Sequence, residues 1–144
     1  MENTKITMED RIAKSMELHK KGYNCCQAVA CAFLDKTNLD EDTMFRLTEG
    51  FGLGMGGMKG TCGAVSGAVV LAGLLNSTGN LEKPDSKGAT YKLSKQIVNE
   101  FIEKNQSIVC EDIKGVKTGE VLRSCNGCIK DAVILAGKIL YGEE

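Results

Sequence analysis

The stretch GFGLGMGGMKG at residues 50–60, followed directly by TCGAVSGAVVLAGLL at 61–75, decides how the chain reads. The first part is more than half glycine, which suits a loop whose backbone takes positive φ or comes close to another group. The second carries Gly63, Ala64, Gly67, Ala68 and Ala72, small residues that let a neighbouring backbone approach closely. It reads as a buried helix from Thr61 to about Leu75 at the centre of the fold.

Helical signals continue on both sides of this stretch. Toward the N-terminus, Thr7 is the expected cap of a helix from Met8 to Lys21, with Asp10 at its third position, Gly22 as the stop, and Met8, Ile12 and Met16 inward. Asn24, with Gln27 three residues on, predicts a second helix that ends near Asp35 and gathers Cys25, Ala28, Val29, Ala32 and Phe33 on one face. Asp40 predicts a third from about Glu41 to Glu49, with Met44 and Leu47 inward. Beyond the central helix, the polar turn NSTGNLEKPDS at 76–86 leads to a helix from about Lys87 to Lys104, striped by Leu93, Ile97, Val98, Phe101 and Ile102. The last helix runs from Cys125 to about Tyr141 and buries Ile129, Val133, Ala136 and Leu140. Period-two strand patterns are nearly absent. The fold class is therefore all-α, a single compact bundle of about five to six helices with a Gly-rich loop before the central helix. A length of 144 residues suits one domain spanning 1–144.

Charge and hydropathy limit the partners. A net charge of -1 and a pI near 5.9 supply no attraction to nucleic acid or to an anionic membrane surface. The longest apolar stretch, Cys62 to Leu75, is shorter than the roughly 20 residues that span a bilayer. The N-terminal MENTKITMEDRIAKSMELHKKG lacks the basic and apolar regions of a secretory signal, so a cytoplasmic location is expected. The small-residue helix faces leave apolar surface to spare, and a homodimer is expected from them.

Seven cysteines in a chain expected to stay in a reducing compartment direct attention to redox or metal chemistry. Three follow a capping residue directly, in Asn24-Cys25, Thr61-Cys62 and Ser124-Cys125. Each would occupy the first position of a helix, where free N–H groups and the dipole favour a thiolate and lower its pKa. Small residues of any type also tolerate a helix start, and that plainer reading stands beside the first. Cys125-Asn126-Gly127-Cys128 is a CxxC at a helix start, able to form a disulfide or to supply two metal ligands. No second CxxC completes a zinc ribbon, and no His follows Cys128 as c-type haem attachment requires. Cys110 reads as a ligand or a core residue, whereas Cys26 and Cys31 read as packing residues. His19, among Lys20, Lys21 and Glu17, reads as a solvated surface residue with no role. Lys59-Gly60-Thr61 reverses the order of a P-loop ending, and no strand precedes the loop, which argues against phosphate binding.

Asn24-Cys25, GTCGAVSG at 60–67, Cys110 and the Cys125/Cys128 pair together resemble the C_GCAxxG_C_C family of redox-active proteins. The resemblance covers nearly the whole chain, although the family name spells Gly-Cys-Ala where this chain has Cys62-Gly63-Ala64. It implies that Cys25, Cys62 and Cys110 are the first three family cysteines and that Cys125 or Cys128 is the fourth. It extends to a domain of split-Soret cytochromes, which implies that such an arrangement holds an iron–sulfur cluster. Redox activity is implied without a substrate.

Three functions follow. The leading one is electron transfer or redox sensing with an iron–sulfur cluster on Cys25, Cys62, Cys110 and Cys125 or Cys128, exchanging electrons with a redox partner protein. The second is a cofactor-free thiol–disulfide oxidoreductase, with Cys125 attacking and Cys128 resolving as the catalytic pair, or with Cys62 pairing another helix-start cysteine. The third is a structural module with zinc or another metal on the same thiolates, Cys25, Cys62, Cys110 and Cys128 among them.

Overall fold

A computed structural model of the chain describes residues 5–144. Residues 1–4, the start of the stretch read above for an export signal, lie outside the described residues. The chain is all-helical, and each of the longer helices begins close to where its capping chemistry predicts. Helix α1 (Met8–Lys21) opens on a reciprocal box in which the Thr7 hydroxyl accepts the Asp10 N–H and the Asp10 carboxylate accepts the Thr7 N–H. Helix α2 (Cys25–Cys31) opens on a second box, between Asn24 and Gln27. The Asp40 carboxylate caps α3 (Glu41–Glu49) through the Thr43 N–H, and the Ser124 hydroxyl caps α8 (Cys125–Tyr141) through the Gly127 N–H.

Between these lie α4 (Gly52–Met55), α5 (Gly63–Asn76), α6 (Lys87–Asn105) and α7 (Cys110–Ile113). Among the described residues, six helices thus have seven residues or more, and α4 and α7 are single turns. Helix α5 is the central one, packed against α2, α6 and α8. Its Gly63 and Gly67 face meets α2, as the small-residue spacing predicts. A Cβ on Gly67 would lie 2.8 Å from the Cys26 carbonyl oxygen and 3.0 Å from Val29 Cβ, and one on Gly63 would lie 3.2 Å from the Cys26 nitrogen. In α8, Ile129, Val133, Ala136 and Leu140 are all buried, as expected.

Several side chains depart from the predicted pattern. The buried stripe of α1 runs through Met8, Arg11, Ser15 and Leu18, while Ile12 and Met16 are only half-buried. Arg11 displaces them because its charge is fully engaged: its guanidinium pairs with Asp35 and Glu143, donates to the Ala32 carbonyl at 3.0 Å and lies over the Phe33 ring. The second helix stops at Cys31, and a 3-10 turn (Leu34–Lys36) follows it. Leu47 is 49% exposed, because α3 turns Met44 and Thr48 inward. Ile102 is 37% exposed, the buried line of α6 being Ile97, Phe101 and Asn105.

Candidate functional site

The glycine loop sets up the site. Leu53, Gly54, Met55, Gly56 and Met58 all have positive φ, so α4 is a left-handed turn and not a regular helix. Gly54 has φ +55, and a Cβ there would lie 2.5 Å from Cys110 Cβ and 2.9 Å from the Gly60 carbonyl oxygen. The Asn24 side chain, whose amide donates to the Glu49 carbonyl at 2.8 Å, fills the space a Gly52 side chain would need. Glycine is therefore required where the loop presses on the segments that carry Cys25 and Cys110.

Past the loop, residues 58–62 run antiparallel to 108–111. Thr61 and Val109 form an isolated β-bridge, the Cys62 N–H donates to the Ile108 carbonyl at 2.6 Å, and the Cys110 N–H donates to the Gly60 carbonyl at 3.0 Å. The Glu111 N–H adds a bond to the Met58 carbonyl at 2.9 Å, and its buried carboxylate binds Lys59 and Lys117. This short pairing brings Cys62 beside Cys110. It also holds Thr61 extended, so Cys62 becomes the N-cap of α5 and not its expected first helical residue. Cys25 and Cys125 do begin α2 and α8.

Cys25, Cys62, Cys110, Cys125 and Cys128 all line one cavity of about 290 Å³, together with His19, Asn24, Leu53, Ile113, Lys114 and Arg123. Cys26 and Cys31, both buried, are not among its lining residues. All seven cysteines are free thiols. Among the described residues no three His, Cys, Asp or Glu side chains are grouped to hold a single metal ion.

The five thiols differ in their surroundings. Cys62 is pulled well below the usual thiol range, first by a hydrogen bond from the Cys128 thiol, with further bonds from the Ala64 and Val65 N–H groups and the charge of Lys114. Those donors outweigh its burial. The same bond, with burial, pushes Cys128 up, since its hydrogen is held on the Cys62 sulfur. Burial pushes Cys25 up to about 12, and the neighbouring Cys62 and Cys125 add to it. Burial likewise raises Cys110. The expectation that a helix start lowers the pKa of its cysteine is corrected at Cys25, which is raised instead. Desolvation of a thiolate exceeds the contribution of one helix end unless N–H groups bond the sulfur directly, as they do at Cys62.

Two lining residues carry a positive charge. Lys114 hydrogen-bonds Cys125, which raises the lysine's own pKa, and it lies near Cys110 and Cys25 as well. Arg123 is neutralised by Asp131, whose two oxygens it binds at 3.0 and 3.1 Å. Sequence reasoning missed Lys114, although it follows Cys110 by one helical turn. His19 was expected at the surface; it is half-buried and lines the cavity, with Nδ1 2.9 Å from the Tyr23 carbonyl oxygen. Nothing local in the sequence marks His19, because Gly22, at φ +120, turns α1 back toward α2 only in the folded chain.

The fold and cavity thus define an all-helical, cysteine-rich protein with thiols gathered from four segments into one site. The family described as "Putative redox-active protein (C_GCAxxG_C_C)" matches residues 23–139, and the chain belongs to this family. The match includes all five cavity cysteines. No curated protein and no solved structure matches the chain.

Proposed function

We propose that this redox-active protein transfers or senses electrons through an iron–sulfur cluster held in the five-cysteine cavity. The observation that carries the reading is the convergence of Cys25, Cys62, Cys110, Cys125 and Cys128 on one space of about 290 Å³. The donor set fits such a group: soft thiols in number, apolar walls from Leu53 and Ile113, and the cation Lys114 to offset thiolate charge. Cys25, Cys62, Cys110 and one of Cys125 and Cys128 would hold it. When bound, the cluster supplies one-electron chemistry. The Ala64 and Val65 N–H groups that donate to the Cys62 sulfur would draw electron density from that ligand and raise the potential. The buried positions of Cys62, Cys110 and Cys128 keep water from the sulfurs.

A single zinc ion in the same thiols is less well supported, since no close trio of donors exists among the described residues. Catalysis by Cys125 and Cys128 as a pair is also less well supported, because Cys125 is engaged by Lys114 and Cys128 by Cys62. A redox partner protein would approach over Leu53, which lines the cavity and is 46% exposed. A homodimer would use surface other than the small-residue face of α5, which α2 covers. Sedimentation at micromolar concentration reads that state directly.

Anaerobic incubation of the reduced protein with iron and sulfide tests the function. Visible charge-transfer absorption and an electron paramagnetic signal on one-electron reduction are expected in the wild type and in Cys31→Ser, and both should be lost in Cys62→Ser. Protein that stays colourless, or colour that survives the Cys62→Ser change, overturns the assignment.

A further inference from the structure

We propose that Arg123 is the positioning residue for the Cys125–Cys128 turn: clamped on Asp131 across the bare face of Gly127, it fixes where both cysteines stand in the cavity wall. Arg123 lies two residues before α8 and lines the cavity. A cation there is opposed by the positive end of the helix dipole, so the helix start does not account for it. Asp131 does. Its carboxylate, 1% exposed, accepts from Arg123 Nε at 3.0 Å and from Nη2 at 3.1 Å on separate oxygens, the paired geometry that a planar guanidinium supplies and an ammonium does not. The same two oxygens accept from Lys104 Nζ at 2.7 Å and from Asn105 Nδ2 at 3.1 Å, which anchors Asp131 to the end of α6. The clamp therefore ties the turn to a fixed, buried point.

To reach Asp131, the Arg123 side chain crosses Gly127, the residue just before Cys128. A Cβ on Gly127 would lie 2.4 Å from Arg123 Nε, 2.7 Å from Cζ and 2.8 Å from Cδ. Gly127 is not among the residues with positive φ, so the arginine, and not the backbone conformation, calls for glycine here. Ser124, next to Arg123, accepts the Gly127 N–H on its hydroxyl at 3.0 Å and the Cys128 N–H on its carbonyl at 2.9 Å. Cap and clamp thus act on one turn, the cap from its backbone and the clamp from outside the helix. Cys128, buried, and Cys125, half-buried, take their places in the cavity wall from that turn. The positioning stands on these contacts; only its readout in the loaded protein rests on the cluster reading above.

The test compares the reduced, cluster-free wild type with Arg123→Lys, Arg123→Met and Gly127→Ala by nuclear magnetic resonance. Arg123→Lys keeps the charge without the fork, and Gly127→Ala keeps the arginine but displaces its guanidinium, so all three variants should behave alike. Amide exchange at Gly127 and Cys128 should be faster by about tenfold or more, the scale of one lost charge-assisted hydrogen bond, and the Cys125 and Cys128 Cβ shifts should move. Amides from Val133 to Leu140 should keep their wild-type exchange. In the Arg123→Met background, Gly127→Ala should instead slow exchange in the turn, because alanine favours a helix once the arginine is gone. Acceleration along the whole of α8, unmoved Cys125 and Cys128 shifts, or wild-type behaviour of Arg123→Lys overturns the positioning role. After loading with iron and sulfide, the variants should show paramagnetic g values that differ from those of the wild type, and identical values overturn the role as well. A wild type that takes up no cluster defeats the cluster reading alone, and the exchange and shift data then decide the positioning.

Discussion

Cys62 is the residue on which the site's electrostatics turn. Its sulfur collects a thiol hydrogen and two backbone N–H groups, so the folded chain favours the thiolate more than the unfolded chain does. Ultraviolet thiolate absorbance of the reduced, metal-free protein should show a step below the ordinary thiol range, and Cys62→Ser should lose that step. The sign for stability follows from linkage. With the value lowered below 9.0, the contribution of Cys62 is complete above 9 and is lost as pH falls through the lowered folded value. The difference in urea midpoint between wild type and Cys62→Ser should shrink over that window, and a constant difference would refute the assignment. Lys114 acts on the same atoms from outside. Lys114→Met should move the Cys62 midpoint upward, because it removes a cation that stabilises the thiolate. An unmoved midpoint in that variant would mean that Lys114 serves only to hold Cys125.

At the scale of elements, packing turns on how closely backbones approach. The contact of α5 with α2 puts the Gly67 Cα where any side chain would strike the Cys26 carbonyl and Val29. Gly67→Leu should therefore overpack the interface, with a loss of about 1–3 kcal/mol in urea denaturation. Gly54→Ala combines a left-handed φ with a Cβ clash on Cys110, so it should disturb the site as well as the loop. We expect a lower melting temperature together with an altered thiolate titration. A stability loss with an unchanged titration would show that the loop yields without moving Cys110.

Across the whole molecule, a charge cluster around the buried Arg11 joins α1 to the segments that follow α2 and α8. Arg11 on α1 is 2% exposed and binds Asp35 after α2 and Glu143 beyond α8. Arg11→Met removes the cation shared by Asp35 and Glu143, leaves Glu143 only the more distant Lys36 at 3.8 Å, and should lower the urea midpoint. If the midpoint is unchanged, the pairing is incidental to the fold. This cluster also illustrates the division between sequence and structure. Capping boxes at Thr7 and Asn24, the 3.6-residue periodicity of α8 and the small-residue run of α5 depend on neighbours a few positions apart, so the all-helical class, most helix starts and the five cavity cysteines are legible from local pattern alone. Arg11 in the core, the outward turn of Leu47, and the place of His19 and Lys114 in the cavity wall arise only in the folded chain. Each depends on which surfaces meet across long separations, on the Thr61–Val109 bridge above all, and such meetings leave no local pattern in the chain.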